Sequence, residues 1–174
     1  MQNFSLFDII GPRMVGPSSS HTAGAAKLGR MAWKIARGDV KAAELTLYGS
    51  FATTGRGHGT DKALVAGILG LAPDDARLRY SLLLAQEAGV SVDIHYSDEE
   101  PEHPNTARIR ITSAAGKVTE IVGASIGGGN IRITEINGME VELSGEYPTL
   151  IVRHTDVPGV INDVTSILAR ERIN

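Results

Sequence analysis

The sequence predicts an α+β fold, with a mixed or antiparallel sheet and helices packed against it. Three observations carry this. Helical spacing of apolar residues concentrates between positions 21 and 88, alternating patterns dominate between 90 and 143, and Asn137-Gly138 separates two such runs as a strong hairpin signal. The strict strand–helix alternation of a doubly wound sheet is missing.

Residues 4–10 open the chain as a short apolar strand or docked arm, broken by Gly11-Pro12. A first helix is expected over residues 21–37, where Ala25, Leu28, Ala32 and Ile35 recur at helical spacing and Gly38 can end it. Ser20 or Thr22 is placed to cap it. Gly24 and Gly29 weaken helix propensity, which points to close packing against another backbone. Residues 43–49 alternate as a half-buried strand and run into a glycine-rich loop. A second helix follows, with Thr60 or Asp61 as cap and Gly70 as stop, and a third covers residues 77–88.

Strands are then expected at 90–96, at 107–112 and at 117–124, with Gly127-Gly128-Gly129 as a break. Residues 130–136 and 139–143 form the hairpin about Asn137-Gly138. Residues 145–148 look like a domain boundary, which divides the chain into 1–145 and 146–174. Beyond it a strand at 149–154, a turn at 156–159 and an amphipathic helix through Val160, Val164, Ile167 and Leu168 are expected. One strand and one helix cannot bury both faces of a sheet, so this unit is completed by another chain or ends before its fold does.

Composition narrows the classes. With 174 residues, 42% of them apolar and 21% charged, the chain reads as globular with a substantial core. A net charge of -3 and no long basic run argue against nucleic-acid binding. No apolar run reaches the length of a membrane span, so a cytoplasmic protein is expected. The chain has no cysteine, hence no thiolate nucleophile and no sulfur with which to hold an iron–sulfur cluster.

Four polar segments could carry chemistry. The first, Gly16-Pro17-Ser18-Ser19-Ser20-His21-Thr22-Ala23-Gly24, sets four hydroxyls around an imidazole at a helix start. Free N–H groups there favour an anion such as a carboxylate, and His21 can exchange a proton near neutral pH. The plain alternative is a serine-rich turn that caps a helix. The second is Gly55-Arg56-Gly57-His58-Gly59-Thr60-Asp61, which matches no nucleotide-binding pattern and could be a simple flexible connection. The third is His103-Pro104-Asn105-Thr106, otherwise a turn with local hydrogen bonds. The fourth is Gly127-Gly128-Gly129-Asn130, best read as a plain bend. No histidine pair has the spacing of a helical zinc site, so no metal ligand is assigned. The Gly-x-Ser-x-Gly elbow of a serine hydrolase is also missing.

The first three segments, in this order, resemble the β subunit of the bacterial iron–sulfur L-serine dehydratases. The resemblance covers nearly the whole chain. It implies a lyase that converts L-serine to pyruvate and ammonia, with a [4Fe-4S] cluster ligated by a partner α subunit rather than by this chain. It also implies a main domain like the allosteric substrate-binding domain. The run Thr155-Asp156-Val157-Pro158-Gly159-Val160-Ile161 resembles the opening of an ACT domain, a ferredoxin-like regulatory module, here incomplete.

On this resemblance His21 is the expected base for the α-proton, or sits next to that base. Ser18, Ser19, Ser20 and Thr22 would hold the substrate, and Arg56, His58, Thr60, Asp61, His103, Asn105 and Thr106 would complete the pocket at a subunit boundary. The expected partners are the α subunit and L-serine, in a homo-oligomer or α/β hetero-oligomer, with neither nucleic acid nor membrane. The main domain also resembles the allosteric substrate-binding domain of some 3-phosphoglycerate dehydrogenases. That second resemblance implies a non-catalytic module that binds L-serine or another anion.

Overall fold

The computed structural model describes residues 13–173; the opening arm at 4–10 and the Gly11-Pro12 break lie outside the described residues. A π-helical turn, Ser19–Gly24, leads directly into α1, Ala25–Ile35. Strand β1, Ala42–Leu47, is followed by two short helices, α2 at Gly49–Thr53 and α3 at Gly55–His58, and then by α4, Thr60–Ile68. A 3₁₀ turn, Ala76–Tyr80, precedes α5, Ser81–Glu87. Five strands follow: β2 Ser91–Tyr96, β3 Thr106–Thr112, β4 Val118–Gly127, β5 Asn130–Ile136 and β6 Met139–Leu143. Helix α6, Val160–Arg170, lies near the C-terminal end.

The six strands form one mixed sheet in the order β2-β1-β3-β4-β5-β6. Strands β1 and β2 run parallel, joined by the helical segment, and the other neighbours are antiparallel. The expected α+β class is therefore observed. Asn137 and Gly138 both have positive φ, 50° and 78°, as the tight hairpin between β5 and β6 requires. The triple glycine also makes a hairpin turn, between β4 and β5, with Gly127 opposite Asn130.

The period-two pattern of the strands places the core. Ala43, Leu45, Leu47, Ala107, Ile109, Ile111, Ile121 and Ile133 are buried on one face, with Leu45 opposite Ile109 and Ile109 opposite Ile121. Each such Leu or Ile contributes roughly 1.5–3 kcal/mol by leaving water. Helix α1 lies on β3, β4 and β5, and α4 packs beside α1. The opposite face carries a charge ladder instead. Arg108 Nη1 bonds Glu120 Oε1 at 2.7 Å, and Arg110 Nη1 bonds Glu44 Oε2 at 3.2 Å.

Helices α1 and α4 touch through backbone. A Cβ on Gly29 would overlap the Leu64 carbonyl, and a Cβ on Gly67 would overlap the Ala26 carbonyl. The close approach expected at Gly29 is thus observed, with Gly67 as its counterpart. Gly24 differs from the expectation of a backbone neighbour: a Cβ there would overlap the side chain of Ser125 on β4.

Four local expectations are corrected. Ser18, not Ser20 or Thr22, caps the first helical turn. Helix α4 begins after Gly59, whose φ of 68° sets the turn, and neither Thr60 nor Asp61 caps it with a side chain. The glycine-rich segment is helical, as α3, rather than a loop. Residues 149–154 form no strand; they are exposed and irregular, because no neighbouring strand offers them a ladder. The amphipathic helix beyond them is present as α6, and none of residues 144–173 is buried. No helix among the described residues is long and apolar enough to cross a membrane.

Candidate functional site

The site begins with the turn that presents His21. Ser18 is in extended conformation, and its hydroxyl accepts from the His21 N–H at 3.1 Å. The Ser18 carbonyl accepts from both Thr22 N at 2.9 Å and Ala23 N at 3.3 Å, which widens the turn into a π form. This widened turn sits where Gly24 lets the backbone pass Ser125. It leaves Thr22 buried at 2% exposure, while His21 stays at the half-buried rim.

Both ring nitrogens of His21 have hydroxyl neighbours. Nδ1 lies 3.2 Å from Ser20 Oγ, which is itself 3.4 Å from Ser18 Oγ. Nε2 lies 3.0 Å from Ser50 Oγ and 3.2 Å from Thr54 Oγ1. Ser50 lies in α2, and Thr54, one helical turn on, is its C-cap residue. The edge of Phe51 packs on the imidazole with centroids 5.4 Å apart, and the His58 ring lies 5.0 Å away at 52°. Partial burial lowers the His21 pKa from its ordinary 6.5, the charge of His58 lowers it further, and a hydrogen bond with the Ser50 backbone opposes both. An imidazole tuned this way is neutral at pH 7 and able to accept a proton.

The three sequence motifs converge here. The Thr22 hydroxyl donates to the His58 carbonyl at 3.2 Å, which joins the first to the second. The Pro104 carbonyl accepts from Ser50 N at 2.6 Å and Phe51 N at 3.3 Å, which docks the third onto the start of α2. Gly49, at φ 51°, allows that docking, because a Cβ there would stand 2.7 Å from the Pro104 oxygen. Asn105 Nδ2 donates to the Ser125 carbonyl at 3.4 Å, beside Gly24.

The expected site residues separate into groups. Ser18, Ser20, Thr22 and His58 surround His21, and Ser19 begins the π turn. Asn105 lies against Ser125, with its Oδ1 buried and unpartnered. His103 accepts at Nδ1 from Asn105 N, and Thr106 donates to the His103 carbonyl. Both residues line a cleft of about 260 Å³ together with Tyr48 and Arg108. The Arg56 guanidinium stacks on Tyr96, 4.2 Å from the ring centre. Asp61 accepts from its neighbour Lys62 N, and Thr60 is fully buried with no partner for its hydroxyl. Sequence reasoning missed Ser50 and Thr54. Their signal was a serine and a threonine four apart after a strand, inside a stretch read as loop.

Among the described residues no cluster of three or more His, Asp or Glu side chains could hold a metal ion. The chain also offers no thiolate, so its residues do not fit a [4Fe-4S] cluster.

A family model described as serine dehydratase beta chain matches residues 3–88. The probable L-serine dehydratase, beta chain, of Bacillus subtilis (strain 168) is 45% identical over 174 residues, spanning 100% of this chain and 79% of that protein. The L-serine dehydratase, beta chain, of Peptoniphilus asaccharolyticus is 43% identical over 175 residues, with the same 100% and 79% coverage. A D-3-phosphoglycerate dehydrogenase of Mycobacterium leprae (strain TN) is 29% identical over 92 residues, which span 52% of this chain and 17% of that protein.

Proposed function

The chain belongs to the serine dehydratase beta-chain family, and from that premise we propose that it supplies the proton-handling residues of a two-subunit L-serine dehydratase. The observation that carries this reading is His21 itself: a half-buried imidazole with a lowered pKa, ringed by hydroxyls, at a rim that a second subunit can cover.

In the reaction the Cα–H bond of L-serine breaks and its proton passes to neutral His21. The electron pair forms the Cα=Cβ bond as the β-hydroxyl departs, and that oxygen leaves as water once it takes up a proton equivalent to the one His21 received and later gives up. The resulting enamine becomes an imine, which water converts to pyruvate and ammonia. Ser18 and Ser20 hold the carboxylate or ammonium group by hydrogen bonds, and His58 lies on the same rim. Asn105 and the segments at 55–61 and 103–106 support the pocket from behind. A [4Fe-4S] cluster, when bound, supplies a Lewis acid for the departing hydroxyl. We place it on the α subunit, since this chain has no cysteine to hold it. Residues 146–174 are proposed as part of an ACT-like regulatory unit, supported by the absence of any buried residue among 146–173. A cytoplasmic α/β assembly is the setting this reading implies.

The test is His21→Ala in a reconstituted α–β complex, with cluster content measured by absorbance. Turnover is expected to fall about 100-fold or more with the cluster intact. Near-normal turnover at normal cluster content overturns the role of His21.

The phosphoglycerate dehydrogenase match supports a second reading, a regulatory module that binds an anion without catalysis. Calorimetry of the chain with L-serine separates the two. Binding without the α subunit favours the module, and binding that needs the partner favours the shared active site.

A further inference from the structure

We propose that Ser50 and Thr54 are positioning residues that hold His21 as the Nε2–H tautomer, so that Nδ1, on the Ser20 side, is the atom that accepts the proton. This rests on the reading of His21 as the base.

Counting hydrogens leads to it. A hydroxyl has a single hydrogen to donate. That of Thr54 goes to the Ser50 carbonyl at 2.9 Å, so Thr54 Oγ1 can only accept from its other neighbours. Those neighbours are His21 Nε2 and Ser50 Oγ, each at 3.2 Å. A bare Nε2 could accept from Ser50 Oγ but would still set its lone pair against that of Thr54 Oγ1. A protonated Nε2 instead donates between Ser50 Oγ and Thr54 Oγ1, and the Ser50 hydroxyl donates onward to Thr54. Every hydrogen on this side of the ring then has an acceptor.

The other side closes in the same way. Ser18 Oγ accepts from His21 N–H; with Nε2 protonated, the Ser18 hydrogen is free to go to Ser20 Oγ at 3.4 Å and the Ser20 hydroxyl to donate to Nδ1 at 3.2 Å. Nδ1 is therefore the nitrogen that bears the lone pair, and the neighbour that occupies it is a motif hydroxyl rather than a scaffold helix. In the reaction the α-proton goes to Nδ1, with Ser20 displaced by substrate or relaying the proton. The imidazolium so formed keeps Nε2–H on its acceptors. His58 on α3 is the titratable group that faces this ring, and Phe51 on α2 is its apolar neighbour.

The experiment has two arms. In the full chain at a pH where His21 is neutral, nitrogen-15 NMR of the imidazole reports which nitrogen carries hydrogen. Protonated Nε2 and bare Nδ1 are expected, and the reverse overturns the proposal. In the α–β complex, Thr54→Val keeps the shape and removes the acceptor. We expect kcat to fall about tenfold at little-changed KM, with a shifted acid limb of the pH profile and with recovery in Thr54→Ser. An unchanged kcat and acid limb overturn the proposal. Ser50→Ala, with the same expected direction, serves where Thr54→Val does not fold. Should His21→Ala stay active, the base assignment fails, and the tautomer remains measurable in the NMR arm.

Discussion

The Thr22 hydroxyl donates to the His58 carbonyl across 3.2 Å, which ties the serine-rich turn to the glycine-rich helix beside it. Thr22 is 2% exposed, so the donor end of this bond is shielded from water, while His58 itself is exposed. It joins one imidazole-bearing segment to the other, beside the His21–His58 ring contact.

Thr22→Val keeps the shape and deletes that donor. Loss of one part-buried hydrogen bond is expected to cost about 1 kcal/mol or less. Urea unfolding of the two proteins measures it, and an unchanged midpoint would show that the bond contributes nothing.

The lowered His21 pKa has a definite sign for stability. Between the folded value and 6.5 the unfolded chain binds more protons than the folded one. The stabilisation is therefore complete above about 6.5 and declines as pH falls through the folded pKa. His58→Gln removes the charge that helps depress this pKa, so His21 should titrate closer to 6.5. Proton NMR titration of the His21 ring reads the shift, and no upward movement would contradict the electrostatic cause.

Gly29→Ala and Gly67→Ala set two effects against each other. Alanine gains about 1 kcal/mol of helix propensity. At both positions its methyl would overlap a carbonyl of the facing helix, and forcing α1 from α4 costs typically 1–3 kcal/mol or more. Net destabilisation is expected at both. Gly57→Ala is the contrast, since a Cβ there meets nothing within 4 Å, and it should be neutral or stabilising by thermal melt.

Ser125 is fully buried with an unpartnered hydroxyl. Ser125→Ala removes the stranded group without altering the backbone contacts of β4. Stability should stay level or rise by up to about 1 kcal/mol in denaturant melts. A clear loss would reveal a partner for that oxygen.

The sheet was legible because its strands alternate cleanly: Ala107, Ile109 and Ile111 against Arg108 and Arg110 admit one register with a single buried face. Asn137-Gly138 marked its turn for a similar local reason. The helices α2 and α3 were not legible, since Gly49, Gly55 and Gly57 speak against helix by propensity. Tertiary packing decides there. Gly55 is buried against Thr60, and Gly49 must clear Pro104. The Thr149–His154 run shows the reverse case, an apolar pattern without a neighbouring strand to pair with. In the site, His21 and its serines were readable from one contiguous motif. Ser50 and Thr54 were not, because their role appears only when α2 brings them to a ring 29 residues earlier than Ser50.

The Pro104 carbonyl serves as the missing cap of α2, which has no side chain of its own to bond its first N–H groups. The hydroxyls that grip the imidazole thus hang from a helix whose opening turn is anchored by a distant connector. Mutations in that connector and in the grip will not add independently. An engineer who wishes to retune the imidazole can do so from the loop ahead of β3, without touching a residue that borders the ring.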